Sequence, residues 1–203
     1  MTVIEHFSGS TSDYYNVYNN IYRGQSFTIG ETGPKLDFYA KSASLKLGKA
    51  GSPTNIWGYL LNANDYGKPT SFLASGQIEI TDTPLKFRNF IFNKKVFLKN
   101  GEKYALAVSC DGDTSNKVHI EYKYDASDPY PGGNASASTN YGASWSSIND
   151  TDHFFYLYGE EAASPLKNLR IYYSSLSSPH SVSYTHLRAH ETRHDLVCRL
   201  LLE

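Results

Sequence analysis

One decapeptide constrains this chain more than any other stretch. Gly101-Glu-Lys runs straight into Tyr104-Ala-Leu106-Ala-Val108-Ser-Cys110. Large apolar side chains fall on every second position with small ones between them, the period of a strand that sets one face on a core and packs the other closely. A central strand is expected here. Phe90, Phe92, Val96 and Leu98 form an apolar strand just upstream, and it breaks at Asn100-Gly101, a dipeptide that joins antiparallel neighbours. The two are therefore expected side by side, as the middle of a β-meander.

The remaining segments carry the same period. Thr2 to Phe7 is expected to open the fold as a strand, and Arg23 to Ile29 follows a tyrosine- and asparagine-rich segment as another. Lys41 to Leu47 alternates Ala43, Leu45 and Leu47 against Ser42, Ser44 and Lys46, the pattern of a half-buried strand. Asn55 to Leu61 has large residues on both faces, so it is either covered twice or exposes Trp57 and Tyr59. Lys117 to Tyr124 alternates again, a weak hairpin contains Tyr141, Gly142 and Trp145, and Phe154 to Tyr158 closes the series. Short strands with turns every eight to twelve residues or so mark a sandwich or a barrel.

Composition narrows the partners. Lys plus Arg number 19 against 20 Asp plus Glu, so no basic field exists to attract nucleic acid or an anionic membrane, and neither is expected as a partner. No apolar run approaches the roughly 20 residues of a membrane-spanning helix. Seventeen Tyr, ten Phe and two Trp suit sheets better than helices. Met1 to Phe7 lacks the basic and apolar regions of a secretory signal, so export by that route is not expected. Of the two cysteines, Cys110 falls inside the central strand and reads as a small buried hydrophobe, and no disulfide is expected.

Several motifs together resemble a family of jelly-roll β-sandwich modules found in phage structural proteins and in extracellular multidomain proteins, similar to non-catalytic carbohydrate-binding modules. They are Gln25-Ser-Phe-Thr, Ser44-Leu-Lys-Leu, Gly51-Ser-Pro, Gly67-Lys-Pro-Thr, the Leu98 to Val108 run, Asp111-Gly-Asp-x-Ser-Asn, Tyr130-Pro-Gly-Gly and Trp145. The resemblance spans residues 1–159 and implies an all-β, antiparallel, jelly-roll-like β-sandwich with a binding or scaffolding role and no catalytic motif. A sandwich of extracellular type without an export signal or a disulfide suits a virion protein, which folds in the host cytoplasm, or else a cell-surface protein. Other domains or subunits of a larger assembly are the expected protein partners.

Downstream of the sandwich, residues 160–181 read as a linker followed by the first strand, Leu166 to Tyr173, of a further and truncated domain. Residues 182–203 break with everything before them. His186, His190 and His194 recur every four residues with Glu191 and Asp195 between, which taken alone suggests a metal-binding helix face. The string instead resembles a translated transposase-type sequencing adapter. Val182 to Thr192 matches one constant half and Leu196 to Glu203 the other, with an index between them that keeps frame. The tail is therefore expected not to be native, and the native chain to continue past Ser181.

Two residue groups are candidates for a glycan site. Sugar recognition calls for aromatic faces against the pyranose ring and for amides and carboxylates on its hydroxyls. Trp57 and Tyr59 share one face of their strand, and Asn62, Asn64, Asp65 and Tyr66 sit in the loop that follows. Asp125, Asp128, Tyr130, Asn134, Tyr141 and Trp145 collect in adjacent loops. Core or interdomain packing for the first group, and turn chemistry around a buried Trp for the second, are the competing readings. No cofactor is expected. A structural calcium ion is the one considered, because Asp111, Asp113 and Ser115 alternate like oxygen ligands, but Asn116 and Tyr122 break the EF-hand pattern. The alternative function is a polysaccharide-degrading β-sandwich enzyme or its accessory domain. Glu79 and Glu121, at expected outward-facing strand positions, would be its carboxylates.

Overall fold

The computed structural model describes residues 2–162, which build thirteen strands and, among those residues, no helix. In chain order they are β1 (Thr2–Phe7), β2 (Asp13–Val17), β3 (Tyr22–Thr28), β4 (Phe38–Ala50), β5 (Thr54–Ala63), β6 (Pro69–Gln77) and β7 (Lys86–Leu98). They continue with β8 (Lys103–Asp111), β9 (Lys117–Tyr124), β10 (Ala135–Ser138), β11 (Ser146–Ile148), β12 (Thr151–His153) and β13 (Phe155–Glu161). A six-stranded antiparallel sheet runs β11-β10-β3-β8-β5-β6, and a seven-stranded one runs β1-β13-β4-β9-β12 with β2 added on β9 and β7 on β4. The described residues form an all-β, jelly-roll-like sandwich, and from β3 to β9 the chain changes sheet at every connection except β5–β6.

β8 lies between β3 and β5 inside the six-stranded sheet, and its parity decides which side is core. Tyr104, Leu106, Val108 and Cys110 face inward, while Ala105 and Ala107 belong to a second, smaller apolar cluster. Facing them across the interior are Leu45, Leu47, Phe90, Leu98, Phe155 and Leu157 of the other sheet. The sheets meet so closely at Gly58 that a Cβ there would lie 2.5 Å from the Phe90 ring. Cys110 is buried, its thiol donates to the Val17 carbonyl at 3.1 Å, and burial pushes its pKa up to about 11.

The expected meander is not formed. β7 pairs with β4 and β8 with β3 and β5, so the turn at Asn100-Gly101 carries the chain from one sheet to the other. The alternation is the same in either arrangement, because both strands still bury one face in the same core. β4 also departs from expectation, since Ser42 and Ser44 are buried as well as Ala43, Leu45 and Leu47. They lie opposite Tyr158 and Tyr156 of β13 and Ile91 and Asn89 of β7, whose longer side chains overhang them. The expected linker begins later than residue 160, because Glu160 and Glu161 are still paired in β13. Cys198, the expected further strand and the adapter-like tail lie outside the described residues.

β1 is fastened by a buried carboxylate. A register shift between Val3 and Glu5 lets Ile4 and Glu5 both turn inward. Glu5 then accepts hydrogen bonds from the backbone N–H groups of Gly30 (2.9 Å), Glu31 (3.1 Å) and Thr32 (2.8 Å), from the Thr32 hydroxyl, and from Tyr130 Oη at 3.2 Å. A carboxyl side chain so deep in an apolar interior is tolerated only with that density of donors.

Candidate functional site

The outer face of the six-stranded sheet collects five of the candidate residues. On β5, Ile56 and Leu60 point to the main core, so Trp57, Tyr59 and Leu61 point out. Most of their neighbours across the sheet are small. Trp57 lies opposite Ser109 of β8 and Gln77 of β6, and Tyr59 opposite Ala107 and Ser75. Gly24 of β3 and Ser136 of β10 continue the Tyr59 row. With so low a floor the rings stand clear of the surface. Trp57 is 37% exposed and Phe72 55% exposed. Tyr59 stacks on Tyr22 at 6.2 Å, meets Phe72 edge-on at 5.1 Å and bonds Ser109 through its hydroxyl at 3.0 Å. Burial raises its pKa.

Trp145 comes to the same face by another route. The turn between β10 and β11 folds back over the sheet and lays the indole on Leu61, Ala105 and Ala107. It fits because Gly24 has no side chain; a Cβ there would stand 3.3 Å from Trp145 Cζ3 and 2.9 Å from Ser136 Oγ. The indole N–H donates to the Gly142 carbonyl at 3.1 Å, and only 9% of the residue is exposed. Trp145 thus roofs a second small core, as in the competing reading, and leaves Trp57, Phe72 and the edge of Tyr59 as the accessible rings.

Beside the roof is a polar depression of about 640 Å³ lined by Tyr66, Lys68, Asn134, Ser146, Ser147 and Asn149. The β5–β6 turn supplies its first wall and is held rigidly. Asn64 Oδ1 accepts from the N–H groups of Tyr66 (3.1 Å) and Lys68 (3.0 Å), and Asn64 O from that of Gly67 (2.8 Å). Gly67, at φ +73°, rests on Ser26, where a Cβ would lie 2.5 Å from the hydroxyl oxygen. Ser26 Oγ in turn accepts from Asn134 N–H at 2.8 Å, which ties that turn to the opposite wall. None of the six lining side chains has a hydrogen bond or ion pair within the described residues. Six residues with unengaged side chains therefore line one space, and the main chain that carries Tyr66, Lys68 and Asn134 is already fixed.

The structure divides the two predicted groups. Trp57, Tyr59, Tyr66, Asn134 and Trp145 share one sheet face, while Asn64 serves its turn, Asn62 bonds Ser71 at 2.9 Å, and Asp65 is exposed beside them. Tyr141 is exposed and its hydroxyl bonds Asn19 at 3.1 Å. Asp125 closes a turn by accepting from Ser127 N–H and hydroxyl, which lower its pKa. Tyr130 is corrected most firmly: it is 1% exposed, deep in the core, with its hydroxyl on Glu5 and its pKa raised by burial. Asp128 turns toward the buried Asp152, and burial raises its pKa. Lys68, Phe72, Ser146, Ser147 and Asn149 were not anticipated. Their positions follow from long-range pairing that leaves no local mark.

Most of the other candidates are engaged within the fold. Glu121, expected to face water, is buried with its carboxylate 2.7 Å from Lys46 Nζ and bonded by the Thr11 hydroxyl. Glu79 is exposed on the stretch after β6, and β6 and Glu121's strand belong to different sheets. Asp111 accepts from Asn55 Nδ2 at 2.6 Å, and Asp113 from the N–H groups of Ser115 (2.7 Å) and Asn116 (2.8 Å), so the loop's own donors occupy these oxygens. Among the described residues no group of three or more His, Cys, Asp or Glu is placed to hold a metal ion. No protein-family model matches the chain, and no curated protein matches it.

Proposed function

We propose that the domain is a non-catalytic glycan-binding module through which a larger protein, of the virion, phage-tail or cell-surface kind, attaches to its target. The observation that carries this reading is that one sheet face bears exposed Trp57 and Phe72 rings along β5 and β6 and, by the β5–β6 turn, a depression whose lining side chains are all unengaged. Aromatic faces cover the C–H side of a pyranose, and amides, hydroxyls and an ammonium serve its hydroxyls. A rigid site loses little entropy on binding, which favours useful affinity from a modest contact area.

A glycan-array screen of the full chain beside Trp57→Ala and Phe72→Ala, each checked for folding by circular dichroism, tests the proposal. Binding of a defined glycan class by the parent, weakened in both folded variants, is the expected result. Absence of binding to every glycan removes it and leaves an assembly role. Turnover of a bound polysaccharide, abolished by Glu79→Gln, would replace it with the hydrolase alternative.

A further inference from the structure

We infer that the glycan bound here is acidic, and that Lys68 holds its carboxylate or sulfate in the depression. This rests on the glycan-binding reading and adds the chemical class of the ligand. Lys68 is the one charged residue among the six lining the depression, and no carboxylate lines it. Asp65, the acidic residue of the same turn, is not part of the lining. Lys41, Lys46, Lys86, Lys95 and Lys99 each stand within 4 Å of an Asp or Glu, while the other described lysines form no such pair. Lys68 has no such partner among the described residues.

The remaining lining groups suit the same ligand. Asn134 and Asn149 offer amide N–H donors, and Ser146, Ser147 and Tyr66 offer hydroxyls. Donors from several directions around one ammonium match an anionic oxygen group and the hydroxyls that flank it on a sugar ring. The backbone of the turn is held by Asn64 and Ser26, so the cation is presented without a loop having to fold onto the ligand. Tyr66, 81% exposed, stands at the rim where a ring could lie against it.

The test uses the full chain and an array on which sialylated, uronate-containing and sulfated glycans stand beside their desialylated, methyl-esterified and desulfated counterparts. Binding to an acidic member, at least about tenfold weaker for its neutral counterpart, is expected, since one charge-assisted hydrogen bond is worth about that factor or more. Which of the three pairs responds separates carboxylate from sulfate. Lys68→Gln should lose about the same factor for the acidic glycan, and Asn149→Asp, which sets a carboxylate in the depression, should lose more, with both variants folded by circular dichroism. Raising salt should weaken the parent and leave Lys68→Gln less affected. Equal binding of acidic and neutral partners, or full binding by Lys68→Gln, overturns this inference and leaves glycan binding standing. Failure of every glycan to bind overturns both.

Discussion

Asp152 Oδ1 accepts a 2.6 Å hydrogen bond from Gln25 Nε2, with neither side chain exposed to solvent. Its other oxygen accepts from Tyr130 N–H at 3.0 Å, so one carboxyl ties β12 to β3 and to the loop before β10. Burial pushes its pKa from 3.8 up to about 7, and neighbouring Asp128 adds to the rise. Beside it, burial drives the His153 pKa from 6.5 down to about 3.

The two groups impose opposite slopes on stability. A carboxyl whose pKa is raised on folding contributes most below its unfolded value, and that contribution is lost as pH rises through about 7. A histidine whose pKa is lowered contributes above its unfolded value and is lost as pH falls from about 6.5 toward 3. Between about pH 4 and 6.5 the two slopes oppose and largely cancel, so urea midpoints measured from pH 4 to 9 should vary little on account of this pair. Asp152→Asn removes the falling component, at most about 4 kcal/mol spread between about pH 4 and 7, and should leave stability climbing with pH up to about 6.5. An unchanged pH profile in that variant would assign the titration elsewhere.

Glu5 makes a second prediction. Replacing it with Ala leaves the N–H groups of Gly30, Glu31 and Thr32 and the Tyr130 hydroxyl without their acceptor, at a cost of about 3 kcal/mol or more. Glu5→Gln keeps one acceptor oxygen and should cost less. Equilibrium urea unfolding of the two variants checks the order.

Gly24→Ala should cost about 1–3 kcal/mol by overpacking, because its Cβ would press on Ser136 Oγ, the Leu106 carbonyl and the Trp145 ring. The ring is the contact with most room to move. Tryptophan emission should shift to the red as the indole lifts from Ala105 and Ala107. The shift should be absent in Gly24→Ala combined with Trp145→Phe if Trp145 is its source.

At Gly67, alanine meets both a positive φ of 73° and the Ser26 hydroxyl. The fold should survive with a loss of about 1–3 kcal/mol, since the positive φ and the contact with Ser26 both oppose the added methyl. Glycan affinity should fall several-fold because Tyr66 and Lys68 lose their seat. Calorimetric titration with the glycan selected on the array measures it, and unchanged affinity would remove the turn from the site.

What the chain's local pattern reveals, and what it hides, can be seen in particular residues. The alternation in β8 and β5 correctly separates core-facing Leu106 and Leu60 from outward Ala107 and Tyr59, because side-chain parity is a local property. The turn at Asn100-Gly101 marks a reversal but does not say whether its arms pair in one sheet or face each other from two. Tyr130 carries every local sign of a loop residue, among glycines and prolines, and yet the loop dips inward to reach Glu5. Lys68, Asn134 and Asn149 line one depression only because the β5–β6 turn crosses β8 to rest on β3, a meeting set by sheet order.

The position of β13 bears on how this domain is made. The last described strand is not at an edge; it lies between β1 and β4, pairing with both. On a ribosome adding about 5–20 residues per second, β1 and β4 wait on the order of ten seconds for the strand that joins them. During that interval the inward faces of Leu45 and Leu47 have no complete sheet around them. Release from the ribosome or a chaperone before Glu161 has emerged leaves unpaired strand edges, so the nascent chain is most open to misassembly just before its synthesis passes that point.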